Sequence, residues 1–135
     1  MTSKRGTWAF YLDRESDETL KMISDLEIFP SNMDIVIFAA AVGREYNCYV
    51  ETKQNGSGYR WEGPAKDKVT TAWYLAFSKT KNPDILLDDN ECYKVLASYA
   101  NGGFQKIQEW ADDAETTPGF LMNILNEMES IQLSH

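Results

Sequence analysis

Only a few residue groups in this chain have the types and spacing to do chemistry. The only histidine is His135, so a mechanism built on an imidazole base or an imidazole metal ligand has almost nothing to stand on. Glu51-Thr52-Lys53, with Asp34 upstream, can be laid over the two carboxylates and lysine of a metal-dependent nuclease, where the carboxylates hold a divalent cation. The order of elements argues against it, because a helix precedes the strand and no central sheet is written. Asp84, Asp88, Asp89 and Glu91 imitate a calcium loop, yet Ile85, Leu86 and Leu87 stand where oxygen ligands are needed and the mid-loop glycine is missing. Asp88 with Glu91 fits better as a capping box for a helix starting near Asn90. Neither a Gly-x-Ser-x-Gly elbow nor a phosphate-cradling glycine loop occurs. Cys48 and Cys92 are the only two cysteines, and their separation suits two buried thiols rather than a disulfide or a zinc site. No catalytic residue, metal or cofactor is therefore expected.

Two further groups could contact nucleic acid. Tyr49, Tyr59, Trp61, Trp73 and Tyr74 could stack bases, although packing is the simpler use for them and only Lys53, Arg60, Lys66 and Lys68 lie near. Thr7 to Leu12 alternates as a short strand in a basic stretch and precedes two helices. That is the order of ribbon-helix-helix regulators, whose paired strands enter the major groove. On that reading Lys4, Arg5, Tyr11 and Arg14 would touch DNA and the chain would be a homodimer.

The elements that would position these groups are mostly helical. Ser16 or Asp17 can cap a helix carrying Leu20, Ile23, Leu26 and Glu27, ended by Phe29-Pro30. Ser31 with Asp34 caps a second, almost wholly apolar helix from Met33 to Glu45. Cys48 to Thr52 and Tyr59 to Glu62 flank Asn55-Gly56, a β-hairpin signal. Pro64 opens a third helix whose inward face is Val69, Ala72, Trp73, Ala76 and Phe77, stopped by Asn82-Pro83-Asp84. Tyr93, Leu96, Tyr99, Ala100, Phe104, Ile107 and Trp110 write a fourth amphipathic face. Asn101-Gly102-Gly103 interrupts it. Each glycine costs roughly 1 kcal/mol relative to alanine in a helix interior, so the helix either breaks there or needs the missing side chains for close packing. Thr117-Pro118 caps a last helix with Phe120, Leu121, Ile124, Leu125, Met128 and Ile131 inward. The expectation is one compact domain, mostly α in an α+β arrangement, with about five helices, one β-hairpin and a short N-terminal strand.

At 135 residues the chain can bury its own core, and 43% hydrophobic and 13% aromatic residues exclude disorder. Charge is unevenly spread. Up to residue 81 eleven Lys or Arg balance eleven Asp or Glu, whereas from residue 82 onward two face ten. The whole net charge of −8 belongs to the second part, which repels phosphate and suits a basic protein partner, although a solvated surface that keeps the protein soluble is the simpler use of it. Without a charged-then-apolar leader or an apolar run near 18 to 20 residues, the protein is expected in the cytoplasm.

Three segments carry a family resemblance. Ile35 to Gly43, then Asn82 to Glu91, then Tyr99-Ala100-Asn101-Gly102-Gly103-Phe104 through Trp110 resemble small proteins associated with bacterial DNA phosphorothioation (dnd) loci. The resemblance covers roughly residues 8 to 112 and leaves the acidic last helix unmatched. It implies work beside the enzymes that exchange a phosphate oxygen for sulfur, or beside the restriction proteins that attack unmarked DNA. It carries no catalytic residue, since the matching positions are apolar, glycine or turn-forming. The expected function is thus a non-enzymatic accessory subunit of an anti-phage defence system that binds other proteins of the same locus. Asp112, Asp113, Glu115, Glu127 and Glu129 are its candidate docking charges, with Asp88, Glu91, Asn101, Gly102 and Gly103 as the structural motif. The DNA-binding regulator is the alternative, and an enzyme with an unrecognised carboxylate site is a third reading.

Overall fold

A pair of helices that touch backbone to backbone forms the centre of the molecule. The computed structural model describes residues 9–53, 58–60, 69–87 and 89–134, and the side chains of 12–53, 74–85 and 91–130. Its helices are α1 (Arg14–Ser24), α2 (Asn32–Glu45), α3 (Val69–Thr80), α4 (Asp89–Asp113) and α5 (Thr117–Ser134), with a 3-10 turn at Pro83–Leu87.

Helix α4 runs unbroken through Asn101-Gly102-Gly103 for 25 residues. Close packing, not a break, is what the glycines serve. A Cβ on Gly103 would overlap the carbonyl of Ala39 in α2, and one on Gly43 of α2 would overlap the carbonyl of Tyr99 in α4. Ala39, Ala40, Val42, Ala100 and Phe104 are buried around this crossing. The close approach converts the propensity penalty of glycine into contact between two backbones. Gly102 faces elsewhere, because its Cβ would overlap the carbonyl of Cys48.

Helices α1 and α3 and the 3-10 turn also pack on α4, and α5 touches both α4 and α2. Leu12, Ile23, Ile35, Leu96 and Ile107 are fully enclosed, each contributing about 1.5–3 kcal/mol by removal from water. Cap prediction is mixed. Ser31 accepts the Asp34 N–H at 3.2 Å as expected. Helix α1, however, starts three residues before Asp17, from Asp13, and ends at Ser24. Glu27 lies outside it in the left-handed region, with φ 57.

The α+β expectation is corrected, because the architecture is helical and no β-hairpin forms among the described residues. Residues 48–53 are not a strand. The Val50 N–H donates to the Ser98 carbonyl at 3.0 Å and the Thr52 N–H to the Ser98 hydroxyl at 3.1 Å. Those amides find acceptors on α4, over the space Gly102 leaves, instead of across a hairpin. Of the extended N-terminal stretch, Thr7 and Trp8 lie outside the described residues, Leu12 is not strand, and Ala9–Tyr11 (β1) pairs antiparallel with Gly58–Arg60 (β2), Phe10 opposite Tyr59. This three-residue pairing forms no layer of the fold. Gln54 to Ser57, with the Asn-Gly turn, and Trp61 to Lys68, with Pro64, lie outside the described residues.

Two inward faces are also corrected. Leu75 and Ala76 are the buried pair on α3, while Phe77 is 41% exposed. On α5 Phe120 and Ile124 are buried, but Leu125 is 40% and Met122 54% exposed. The side chains of Val69 to Trp73 and of Ile131 lie outside the described set. Cys48 and Cys92 are both free thiols, and among the described residues no helix is long and apolar enough to cross a membrane.

Candidate functional site

The largest cleft among those described, about 580 Å³, lies between α1 and α4 and is lined by Asp13, Ser16, Thr19, Asn101, Gln105 and Gln108, among others. Its floor is a buried polar network centred on Asn101. The Asn101 Oδ1 accepts the Asp13 N–H at 3.2 Å and the Ser16 hydroxyl at 2.6 Å. Its Nδ2 donates to the Val50 carbonyl at 3.3 Å. Asp13 precedes α1 in an extended conformation but does not cap it with its side chain. Its carboxylate accepts the Lys53 N–H at 2.6 Å and the Thr52 hydroxyl at 3.3 Å. One amide and one carboxylate therefore tie α1, the 48–53 segment and α4 together, and buried polar groups are matched to partners as burial requires. Farther out, Thr19 donates to Gln108 at 3.1 Å and Gln108 donates to Asp112 at 2.9 Å.

A smaller groove of about 310 Å³ lies where the end of α2 meets α4 and α5, lined by Tyr46, Trp110, Asp113, Asn123, Asn126 and Glu127. Tyr46 is 42% exposed and meets Trp110 edge to face, with ring centroids 6.0 Å apart. Its hydroxyl donates to Glu127 at 2.9 Å. Partial burial, then the hydrogen bond to Glu127, raises the Tyr46 pKa above its ordinary value. The Lys106 ammonium lies 5.1 Å from the Tyr46 ring centroid and 3.5 Å from Glu109. The groove can offer a π face, two carboxylates and two amides to one ligand group.

The family model for DNA sulphur modification system-associated protein 4 matches residues 14–134. The chain belongs to this family. Its association with DNA sulphur modification (dnd) loci follows, as the three sequence segments implied. The match runs through α5, which the resemblance left out. Comparison with curated proteins and with solved structures gave no match.

In this member of the associated-protein-4 family the five predicted docking charges lie at the end of α4, on its connection to α5 and on α5. Asp112 and Asp113 end α4, Glu115 stands between α4 and α5, and Glu129 is on the outer side of α5, all exposed. Only Asp113 and Glu127 share the groove. Of the residues named for DNA contact, Lys4 and Arg5 lie outside the described residues, as does the Tyr11 side chain. Arg14 is exposed at the start of α1. Asp88, and with it the Asp88–Glu91 capping box, is likewise outside; Glu91 accepts from Lys94 at 3.3 Å. The nuclease-like layout loses its strand, and Asp34 serves as the partner of the Ser31 cap, accepting its hydroxyl at 2.8 Å. Of the aromatic platform, Tyr49 packs edge-on against Tyr99 at 4.9 Å, and Tyr74 is exposed beside Arg44.

Sequence reasoning named Asn101 only as part of the glycine motif and missed Asp13, Ser16, Tyr46 and Trp110 as site residues. A polar residue inside an apolar helical stripe was the available signal for Asn101.

Proposed function

We propose that the protein is a non-enzymatic accessory subunit of the DNA sulphur-modification system, linked to anti-phage defence or restriction, and that it acts by binding another protein of the same locus through its acidic second half. One observation carries this reading. Asp112 and Asp113 occupy the last turn of α4, which holds no basic residue. Carboxylates at a helix C-terminus oppose the helix dipole, and the Gln108 hydrogen bond within α4 offsets this for Asp112 alone. Lys94 and Lys106, the only Lys or Arg from residue 82 onward, are each within 4 Å of a neighbouring carboxylate, which leaves the surface acidic. The buried polar groups of the larger cleft support the same reading, because their hydrogen bonds hold helices in place. Charges at the edge of an interface chiefly steer association and are screened by salt.

Tagged pull-down from the native host tests this. Reversal of Asp112, Asp113, Glu115, Glu127 and Glu129 to lysine should abolish recovery of the locus proteins, and recovery from native protein should fall as salt rises. Equal recovery by the reversed variant would overturn the proposal.

A further inference from the structure

We infer that the groove formed by Tyr46, Trp110, Asp113 and Glu127 receives a single arginine side chain presented by the basic partner protein. This rests on the accessory-subunit reading and specifies its anchor. The walls argue for the occupant. Tyr46 and Trp110 supply aromatic surface, and Asp113 and Glu127 supply carboxylates on opposite helices of the same groove. None of the lining residues is cationic. A guanidinium combines the two interactions, since its plane stacks on an aromatic ring while its forked donors engage carboxylates.

The geometry already holds one such contact, with the Lys106 ammonium 5.1 Å from the Tyr46 centroid. Lys106 is drawn to its own carboxylate, Glu109, and does not line the groove. Tyr46 is held at its hydroxyl by Glu127 and at its ring by Trp110, so the shelf is ordered before anything binds. Its volume of about 310 Å³ is at the small end of ligand pockets, suited to one long side chain. Asn123 and Asn126 add amides that can accept the remaining guanidinium protons. Tyrosine, tryptophan and arginine are also the residue types in which interface energy concentrates. A second copy of this chain fits poorly, because its corresponding surface carries the same negative charge.

A capped hexa-arginine peptide added to the full-length protein, followed by NMR, provides the test. Expected are saturable shifts of the Trp110 indole N–H and the Asn123 and Asn126 side-chain amides. Hexa-citrulline, equal in shape but uncharged, should produce none. Asp113→Asn with Glu127→Gln should weaken hexa-arginine binding at least tenfold, and Tyr46→Phe, which keeps the ring, should weaken it less. Shifts spread evenly over the acidic surface, or unchanged affinity in the double variant, would overturn the inference. So would concentration-dependent dimers in light scattering that Trp110→Ala abolishes, since a second copy would then fill the groove. Pull-down separates the two levels of the argument. Partner recovery lost on five-charge reversal but kept by Trp110→Ala with Asp113→Asn sinks the groove alone; recovery indifferent to both sinks the accessory reading.

Discussion

Asn101 accepts the backbone N–H of Asp13 at 3.2 Å across 88 residues of sequence. The same side chain serves Ser16 and Val50, so three segments depend on one amide that is 1% exposed. Asn101→Ala should leave a donor on Asp13, a donor on Ser16 and an acceptor on Val50 without partners. A loss of about 3 kcal/mol is expected, measured by urea denaturation. A loss below about 1 kcal/mol would show that water replaces the amide.

The Gly103–Ala39 approach predicts an unusual sensitivity to one methyl group. Gly103→Ala should destabilise by about 3 kcal/mol or more, although alanine is the better helix former, because the obstruction is backbone and cannot rotate away. Gly119→Ala is the contrast, since its Cβ would meet only the Thr116 hydroxyl at 3.2 Å. That change should stay within about 1 kcal/mol. Equal thermal shifts for the two variants would contradict the proposed close crossing.

Stability should decline at alkaline pH through Tyr99 and Tyr46. Burial raises the Tyr99 pKa above its ordinary 10.0, with Arg44 acting the other way, and burial with the Glu127 hydrogen bond raises that of Tyr46. A raised folded-state pKa favours the protonated phenol in the native protein. The stabilisation is therefore complete below about pH 10 and is lost as pH climbs through the higher native values. The double variant Tyr46→Phe, Tyr99→Phe should lose less melting temperature between pH 9 and 11 than the native protein. An identical alkaline slope in both would remove these tyrosines from the account.

Local chemistry was legible and distant chemistry was not. The Ser31 cap could be read because its acceptor and donor lie three residues apart. The apolar α2 could be read because nearly every position demanded burial. Asn-Gly between β-favouring residues is also a local signal, and it misled: the amides of Val50 and Thr52 bond to Ser98 of α4, and nothing near residue 50 announces that. The network of Asn101 was hidden for the same reason, its partners Asp13 and Val50 being 88 and 51 residues away. The glycine pair gave a choice of two outcomes, and only the position of α2 decides between them. Leu125 was assigned inward by helical spacing, but α5 meets its neighbours along a narrow seam that does not reach it.

That narrow seam has a consequence for how the molecule breathes. Of the side chains described on α5, Phe120 and Ile124 are the only buried ones, whereas α2 and α4 share a deep contact. Opening free energies follow such differences in burial. The last helix should therefore peel away as a unit while the α2–α4 pair stays shut, and its amides should exchange with solvent deuterium long before those flanking Gly103. Any partner gripping the outer end of α4 would then be felt first as slower exchange in α5.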